Sequence, residues 1–411
     1  FIGGDNFKEG GNAMPKFAQR IYDMESSAKI IRALFGAMDS PNIISLGGGA
    51  PASDALPVEA VHDICTDVIT RNKRGVEALQ YGSVLGVSDL RKNVADILLK
   101  PKGLEAELDE IIIVNGGLET MNLLCQVYIN PGDVILVESP TFVHCVEIFE
   151  MFQARCVGVE CDDCGMILED VEKKIQKLHP KLVYIIPTFQ NPTGKTFPLE
   201  RRKKLAEIGS KYDVIILEDD PYQELRYSGE PLPPIKCFDK TGHTVYANSF
   251  SKIFSPGSRL GFCHASHDII TKLFDAKTAT NSHTSTFAQV VCAEFFNRGL
   301  FSSQLKKLCE IHRERRDVMM NCFAKYMPGG TKWVHPDGGL FSWVELPGGI
   351  DTAALLPEAN AAGIHYIAGS SFYVQGGNMG SNAMRVSFGN VTPEKIDIAV
   401  QQLASLVKNK L

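Results

Sequence analysis

From about residue 110 onward, short apolar runs alternate with amphipathic stretches. Ile111-Ile112-Ile113-Val114 predicts a buried strand and 118–128 a helix. Val134-Ile135-Leu136-Val137 predicts a second strand, followed by a helix from about Val143. The runs 182–186 and 214–217 predict further strands with a helix over 200–211 between them, and 244–247 and 260–263 complete the pattern. These runs are continuously apolar, as strands covered on both faces must be. Strands alternating with helices imply an α/β fold with a large, doubly wound, mainly parallel sheet. Ligands of such sheets bind beyond the carboxyl ends of the strands. The polar clusters follow that rule: Asn115-Gly116-Gly117, Glu138-Ser139-Pro140, Asn191-Pro192, Glu218-Asp219-Asp220 and Ser249-Phe250-Ser251-Lys252 each come just after an apolar run.

Past residue 300 the texture changes. A long helix is expected over 302–326, then a smaller α+β unit over 331–411. That unit has strands at 340–346 and 384–388, a helix at 353–362 and a last helix from Pro393. The expected division is an N-terminal arm contributing to the smaller domain over 1–55, a large domain over 56–300 and a small domain over 301–411. Residues 28–38 have the spacing of an amphipathic helix, and no internal repeat or low-complexity tract interrupts the pattern.

Composition narrows the function classes. The 411 residues are 44% hydrophobic and 22% charged, an ordinary globular balance. A net charge of −6 gives no field favouring nucleic acid or an anionic membrane. No uncharged apolar run has the length of a membrane span. Eleven cysteines, an odd number without regular spacing, argue against a disulfide framework and for reduced thiols, so a cytoplasmic location is expected. Cys161 and Cys164 form a Cys-x-x-Cys with no second pair at zinc-like spacing, and no metal is expected. Residues 1–11 are polar and glycine-rich without a signal pattern, so a loose end is expected, with Met14 a candidate start.

Four segments carry chemistry. Lys252 sits among Ser249, Ser251, Ser255 and Ser258 with Arg259 close behind. A lysine whose pKa is lowered can act as a nucleophile toward a carbonyl, and hydroxyls with a guanidinium suit a phosphate monoester. Glu218-Asp219-Asp220-Pro221-Tyr222 could place a carboxylate against a protonated ring nitrogen. The amide of Asn191 in Gln190-Asn191-Pro192-Thr193-Gly194 could bond a phenolic oxygen. The glycine turn before Leu118-Glu119-Thr120 could offer phosphate the N–H groups of a helix start. Taken singly, each has a plainer reading: a solvated lysine, an acidic helix cap, a turn signal, a glycine turn.

Taken together and in this order, they resemble the fold-type I pyridoxal-phosphate enzymes of the class I/II aminotransferases. The resemblance runs from about Arg32 to the C-terminus and points to the branch with 2-aminoadipate and kynurenine aminotransferases. Ile44 to Pro51, Leu79-Gln80-Tyr81-Gly82, Ser139-Pro140-Thr141-Phe142 and Asn382-Ala383-Met384-Arg385 complete the set of motifs. It implies a cofactor, pyridoxal 5′-phosphate, held by Lys252, which would also move a proton between the substrate Cα and the cofactor C4′. It implies Asp219 at the ring nitrogen, Asn191 and Tyr222 at the ring oxygen, and Phe142 stacked on the ring. Ser249, Ser251, Arg259 and the backbone of Gly117 and Leu118 would form the phosphate cup. Arg385 would hold the substrate α-carboxylate beside Asn191 and Gly49. Tyr81 would reach the phosphate in a neighbouring subunit, which implies a homodimer.

Two positions depart from the family pattern. Gly117-Leu118 stands where a small or hydroxyl residue and a glutamine are usual, and Phe142 where a tyrosine is usual. Both bear on cofactor affinity more than on reaction type. Arg32 lies where the branch carries an arginine for a distal carboxylate, but Lys29 replaces the serine common three residues earlier, and an exposed helix arginine is the alternative. The expected reaction moves the α-amino group of glutamate, 2-aminoadipate or an aromatic or aliphatic amino acid to a 2-oxo acid such as 2-oxoglutarate. Other fold-type I chemistry, a lyase or decarboxylase, is the alternative within the fold. A regulatory sensing module is the alternative outside it, disfavoured because only about thirty residues precede the resemblance.

Overall fold

The structure is a computed structural model that describes residues 16–23, 42–70, 72–374 and 376–411. The expected helix over 28–38, and Arg32 with it, lies outside the described residues. The strands, in chain order, are β1 (Ile44–Ser45), β2 (Ile111–Val114), β3 (Val134–Ser139), β4 (Arg155–Asp162), β5 (Gly165–Met166), β6 (Leu182–Ile185) and β7 (Ile215–Asp219). They continue with β8 (Thr244–Ser249), β9 (Gly261–His264), β10 (Lys332–Trp333), β11 (Phe341–Glu345), β12 (Ile364–His365), β13 (Ile367–Ala368) and β14 (Ala383–Ser387).

The large sheet runs β2-β9-β8-β7-β6-β3-β4-β5. Strands β4, β3, β6, β7 and β8 are parallel neighbours, while β9 is antiparallel to both β8 and β2, and β5 to β4. Parallel neighbours need a crossover: helix Val143–Met151 links β3 to β4, and helix Leu199–Tyr212 links β6 to β7. The unbroken apolar runs are explained by alternation across the sheet. Ile112 and Val114 of β2 enter one core, while Ile111 and Ile113 enter another on the opposite face. Two strands of this sheet were not foreseen. β4 is exposed or half-buried along most of its length and β5 has only two residues, so neither has a clean apolar run.

A four-stranded antiparallel sheet, β10-β11-β14-β13, follows helix Leu300–Tyr326. β1 pairs in parallel with β12, so the chain just before the Gly47-Gly48-Gly49 loop is tied to the C-terminal part of the molecule. Helices Leu300–Tyr326 and Pro393–Lys408 pack together through Met319, Phe323, Val400 and Leu403 in one core. Among the described residues, no helix is long and apolar enough to cross a membrane.

Candidate active site

A cavity of about 480 Å³ opens beyond the carboxyl ends of the large sheet's parallel strands. Of the described residues singled out from sequence for the site, all except Tyr81 line it. Tyr81 is 88% exposed, its ring set edge-on against His283 at 5.7 Å.

Lys252 reaches the cavity because β8 ends at Ser249 and the chain turns at once through a short 3-10 helix, Phe250–Lys252. The Ser249 Oγ accepts from Ser251 N at 3.2 Å and fixes that turn. The Lys252 Nζ donates to the Gly49 carbonyl at 2.7 Å. Burial, reinforced by the like charges of Arg259 and Arg385, lowers the amine's pKa to about 8. A substantial fraction is therefore neutral and nucleophilic near physiological pH.

Beside the lysine, an anion cup is assembled from three strand ends. Gly116 has φ +73°, and a Cβ added there would lie 2.4 Å from Arg259 Nη2. The guanidinium thus lies against the bare turn that opens helix Gly117–Tyr128. The Ser249 and Ser251 hydroxyls, 3.0 Å apart, close another side. A helix start, an arginine and two hydroxyls are the donor set a phosphate monoester requires.

Asp219, the last residue of β7, is buried. Its Oδ2 accepts from Tyr184 Oη at 2.8 Å, and Tyr184 Oη in turn accepts from Cys145 Sγ at 3.1 Å. Among the described residues, no group donates to its Oδ1. Burial raises the carboxyl pKa to about 7; the Tyr184 hydrogen bond opposes this and the charge of Asp220 adds to it. A buried carboxyl with an open oxygen facing a cavity calls for a cationic N–H, which would return it to the carboxylate form.

Arg385 enters from the other sheet. Its Nη1 donates to Asn191 Oδ1 at 2.7 Å and its Nη2 to Gly47 O at 2.5 Å. Its Nε is buried and, among the described residues, has no hydrogen-bond partner. The guanidinium lies 4.3 Å from the Phe341 ring centroid and 5.1 Å from that of Phe372. Burial lowers its pKa to about 10, so it stays charged. Asn191 is held by its neighbour: Gln190 Nε2 donates to Pro140 O at 3.0 Å, and Gln190 Oε1 accepts from Thr193 N at 2.8 Å. Burial drives the hydroxyl pKa of Tyr222 upward, against the charge of Arg385 and the neighbouring Asn191 side chain.

Several lining residues were not anticipated, notably Val143, His144, Phe341, Ile367 and Phe372. His144 follows Phe142 by two residues, but nothing in the local pattern marks it. Phe341 lies in a run that read as a strand and Val143 at the start of an expected helix, while Ile367 and Phe372 fall in no predicted element. Tyr184 also looked like one more residue of a buried run; its hydroxyl was the only sign of the bond to Asp219.

An amine near neutrality, an anion cup, a carboxyl open to a cationic ring nitrogen and a buried guanidinium converge on one cavity. Together they fit a phosphorylated pyridine aldehyde and an amino-acid carboxylate. Residues 41–403 match the family model "Aminotransferase class I and II", and the chain belongs to that family. It is 38% identical over 400 residues to aromatic-amino-acid aminotransferase 1 of Thermococcus litoralis, covering 96% of this chain and 94% of that protein. It is 30% identical over 387 residues to 2-aminoadipate transaminase of Thermus thermophilus, covering 93% and 95%. The structure of Pyrococcus horikoshii kynurenine aminotransferase, a complex with PMP, superposes with a TM-score of 0.90 at 36% identity, covering 96% of this chain and 97% of that one. The protein is an aminotransferase of the fold-type I class, and its cofactor is pyridoxal 5′-phosphate. When bound, that cofactor supplies an aldehyde that joins an amine and a ring that accepts electrons released at the substrate Cα.

Proposed function

We propose that this aminotransferase takes aromatic and aliphatic amino acids as donors and 2-oxoglutarate as acceptor, with glutamate and 2-aminoadipate also entering the site. The observation that carries this reading is the composition of the cavity around Arg385. Arg385, the anchor for an α-carboxylate, is stacked by Phe341 and Phe372 with Ile367 paired to it on β13, in a cavity that Leu118, Met121 and Phe142 also line. An apolar wall favours an apolar side chain. His144, whose pKa is lowered by burial and then by the charge of Arg385, adds a neutral polar group there. The names of the Thermococcus, Thermus and Pyrococcus proteins support the same substrate range. Acceptance of a distal carboxylate is assigned to Arg32.

In this reading Lys252 holds the cofactor, and its freed amine takes the proton from the substrate Cα and returns it at the cofactor C4′. Asp219 bonds the ring nitrogen, and Asn191 and Tyr222 the ring oxygen. Phe142 covers the ring face. Ser249, Ser251, Arg259 and the N–H groups of Gly117 and Leu118 hold the phosphate, while Arg385, Asn191 and Gly49 hold the substrate carboxylate. Tyr81 completes the phosphate site of a second subunit in a homodimer; its exposure in the single chain supports this. The protein works in the cytoplasm, as a large domain over 56–300 with a smaller one formed by 1–55 and 301–411. The β1–β12 pairing supports joining those two segments.

A panel of amino donors against 2-oxoglutarate and pyruvate, followed by the spectral change from the pyridoxal to the pyridoxamine form, tests the assignment. Phenylalanine, tyrosine and leucine should convert the cofactor in a single turnover. Conversion by aspartate alone would refute the apolar-pocket reading.

A further inference from the structure

The turn that opens the anion cup is fastened from outside the cavity. Glu119 lies in the first turn of helix Gly117–Tyr128. Its Oε2 accepts from Asn115 N at 2.6 Å, and its Oε1 from Asn115 Nδ2 at 3.2 Å. From helix His267–Thr280, Lys277 Nζ donates to the same Oε2 at 2.6 Å. Asn281 Nδ2 donates to Oε1, and Lys277 Nζ also reaches Asn281 Oδ1 at 3.2 Å. The Lys277 side chain is fully buried and that of Glu119 is 10% exposed. Burial raises the Glu119 pKa, but hydrogen bonds from Lys277 and Asn115 outweigh it and the net shift is downward. Burial lowers that of Lys277 against the pull of Glu119.

A carboxylate in the first turn of a helix is ordinarily favourable. Here the same turn faces an anion cup, so an uncompensated carboxylate would repel the ligand the cup is built for. Lys277 removes that conflict. The carboxylate remains to tie down Asn115, immediately before the glycine pair, and its charge is neutralised from behind. We propose that Glu119 and Lys277 are positioning residues for the cofactor phosphate: Glu119 fixes the Asn115–Leu118 turn, and Lys277 cancels the charge this places beside the phosphate. The inference rests on the assignment of Gly117, Leu118 and Arg259 to the phosphate.

The test compares two ligands of the full-length protein by absorbance titration: pyridoxal 5′-phosphate, and pyridoxal, which has the same ring and aldehyde without the phosphate. Lys277→Met leaves Glu119 charged and alone, and should weaken pyridoxal 5′-phosphate on the order of ten-fold or more, with pyridoxal little changed. The neutral double variant Lys277→Met/Glu119→Gln keeps an acceptor for Asn115 N and should regain most of that affinity. Lys277→Met/Glu119→Ala is equally neutral but unties Asn115, and should lose pyridoxal 5′-phosphate selectively. The two neutral variants carry the comparison if Lys277→Met alone does not fold. Losses shared equally by both ligands, or equal binding by the two neutral variants, would overturn the proposal. A wild-type protein that bound pyridoxal as tightly as its phosphate would instead overturn the phosphate-cup assignment itself.

Discussion

Arg385 on β14 of the small sheet donates to Asn191 just beyond β6 of the large sheet, at 2.7 Å. The bond joins the group assigned to the substrate carboxylate with the group assigned to the cofactor's ring oxygen. Among the described residues, the buried Nε of the same guanidinium has no hydrogen-bond partner. Replacing Arg385 by Gln should lower kcat/KM for every amino donor by roughly a hundred-fold or more, since charge-assisted bonds to the carboxylate disappear. Cofactor absorbance should remain. Steady-state kinetics with two donors of different side chain would check that the loss is shared.

The lowered pKa of Lys252 has a pH consequence. Only the neutral amine attacks an aldehyde, so capture of pyridoxal 5′-phosphate by the cofactor-free protein should accelerate as pH rises through about 8. Arg259 disfavours the protonated amine, so Arg259→Gln should raise the lysine pKa and move that midpoint upward. Stopped-flow absorbance between pH 6.5 and 9.5 would measure both profiles. A midpoint unmoved by Arg259→Gln would separate the two groups.

Gly116 tests the cup by steric means. Its φ of +73° and the 2.4 Å approach of an added Cβ to Arg259 Nη2 both oppose a side chain. Gly116→Ala should cost about 1–3 kcal/mol of stability and weaken pyridoxal 5′-phosphate more than pyridoxal. Thermal unfolding with and without each ligand reads the two effects separately.

Tyr81 tests the dimer. If it completes a neighbour's site, Tyr81→Ala and Lys252→Ala chains should complement each other when mixed. A mixed dimer has one site with an intact Lys252 and a Tyr81 supplied by the other chain. Random exchange should restore about a quarter of wild-type activity from two impaired parents. Activity no higher than the mean of the parents would place Tyr81 outside the neighbouring site.

Much of this arrangement was legible along the chain because a doubly wound sheet puts its ligand groups at strand ends. Asn115, Asn191, Asp219 and Ser249 each follow an apolar run, and the structure gathers their neighbourhoods around one cavity. Arg385 was harder to place: it lies inside the apolar strand β14 and is brought to the site by pairing with Trp343 of β11, a long-range register no local pattern encodes. Phe341 was unreadable for a related reason, since an aromatic residue in a buried run looks the same whether it packs on core or on a guanidinium, and Phe372 falls in no predicted element. The Glu119–Lys277 pair spans 158 positions, so neither residue announces the other. The antiparallel direction of β9 was also hidden, because apolar runs carry no polarity.

The central claim is that Lys252 holds the cofactor. Borohydride reduction of the yellow holoenzyme, followed by proteolysis and mass spectrometry, tests it most directly. The account predicts a phosphopyridoxyl group fixed on the peptide containing Lys252, and none in Lys252→Ala. A label on another lysine, or no label on a protein that absorbs as the pyridoxal form, would contradict it.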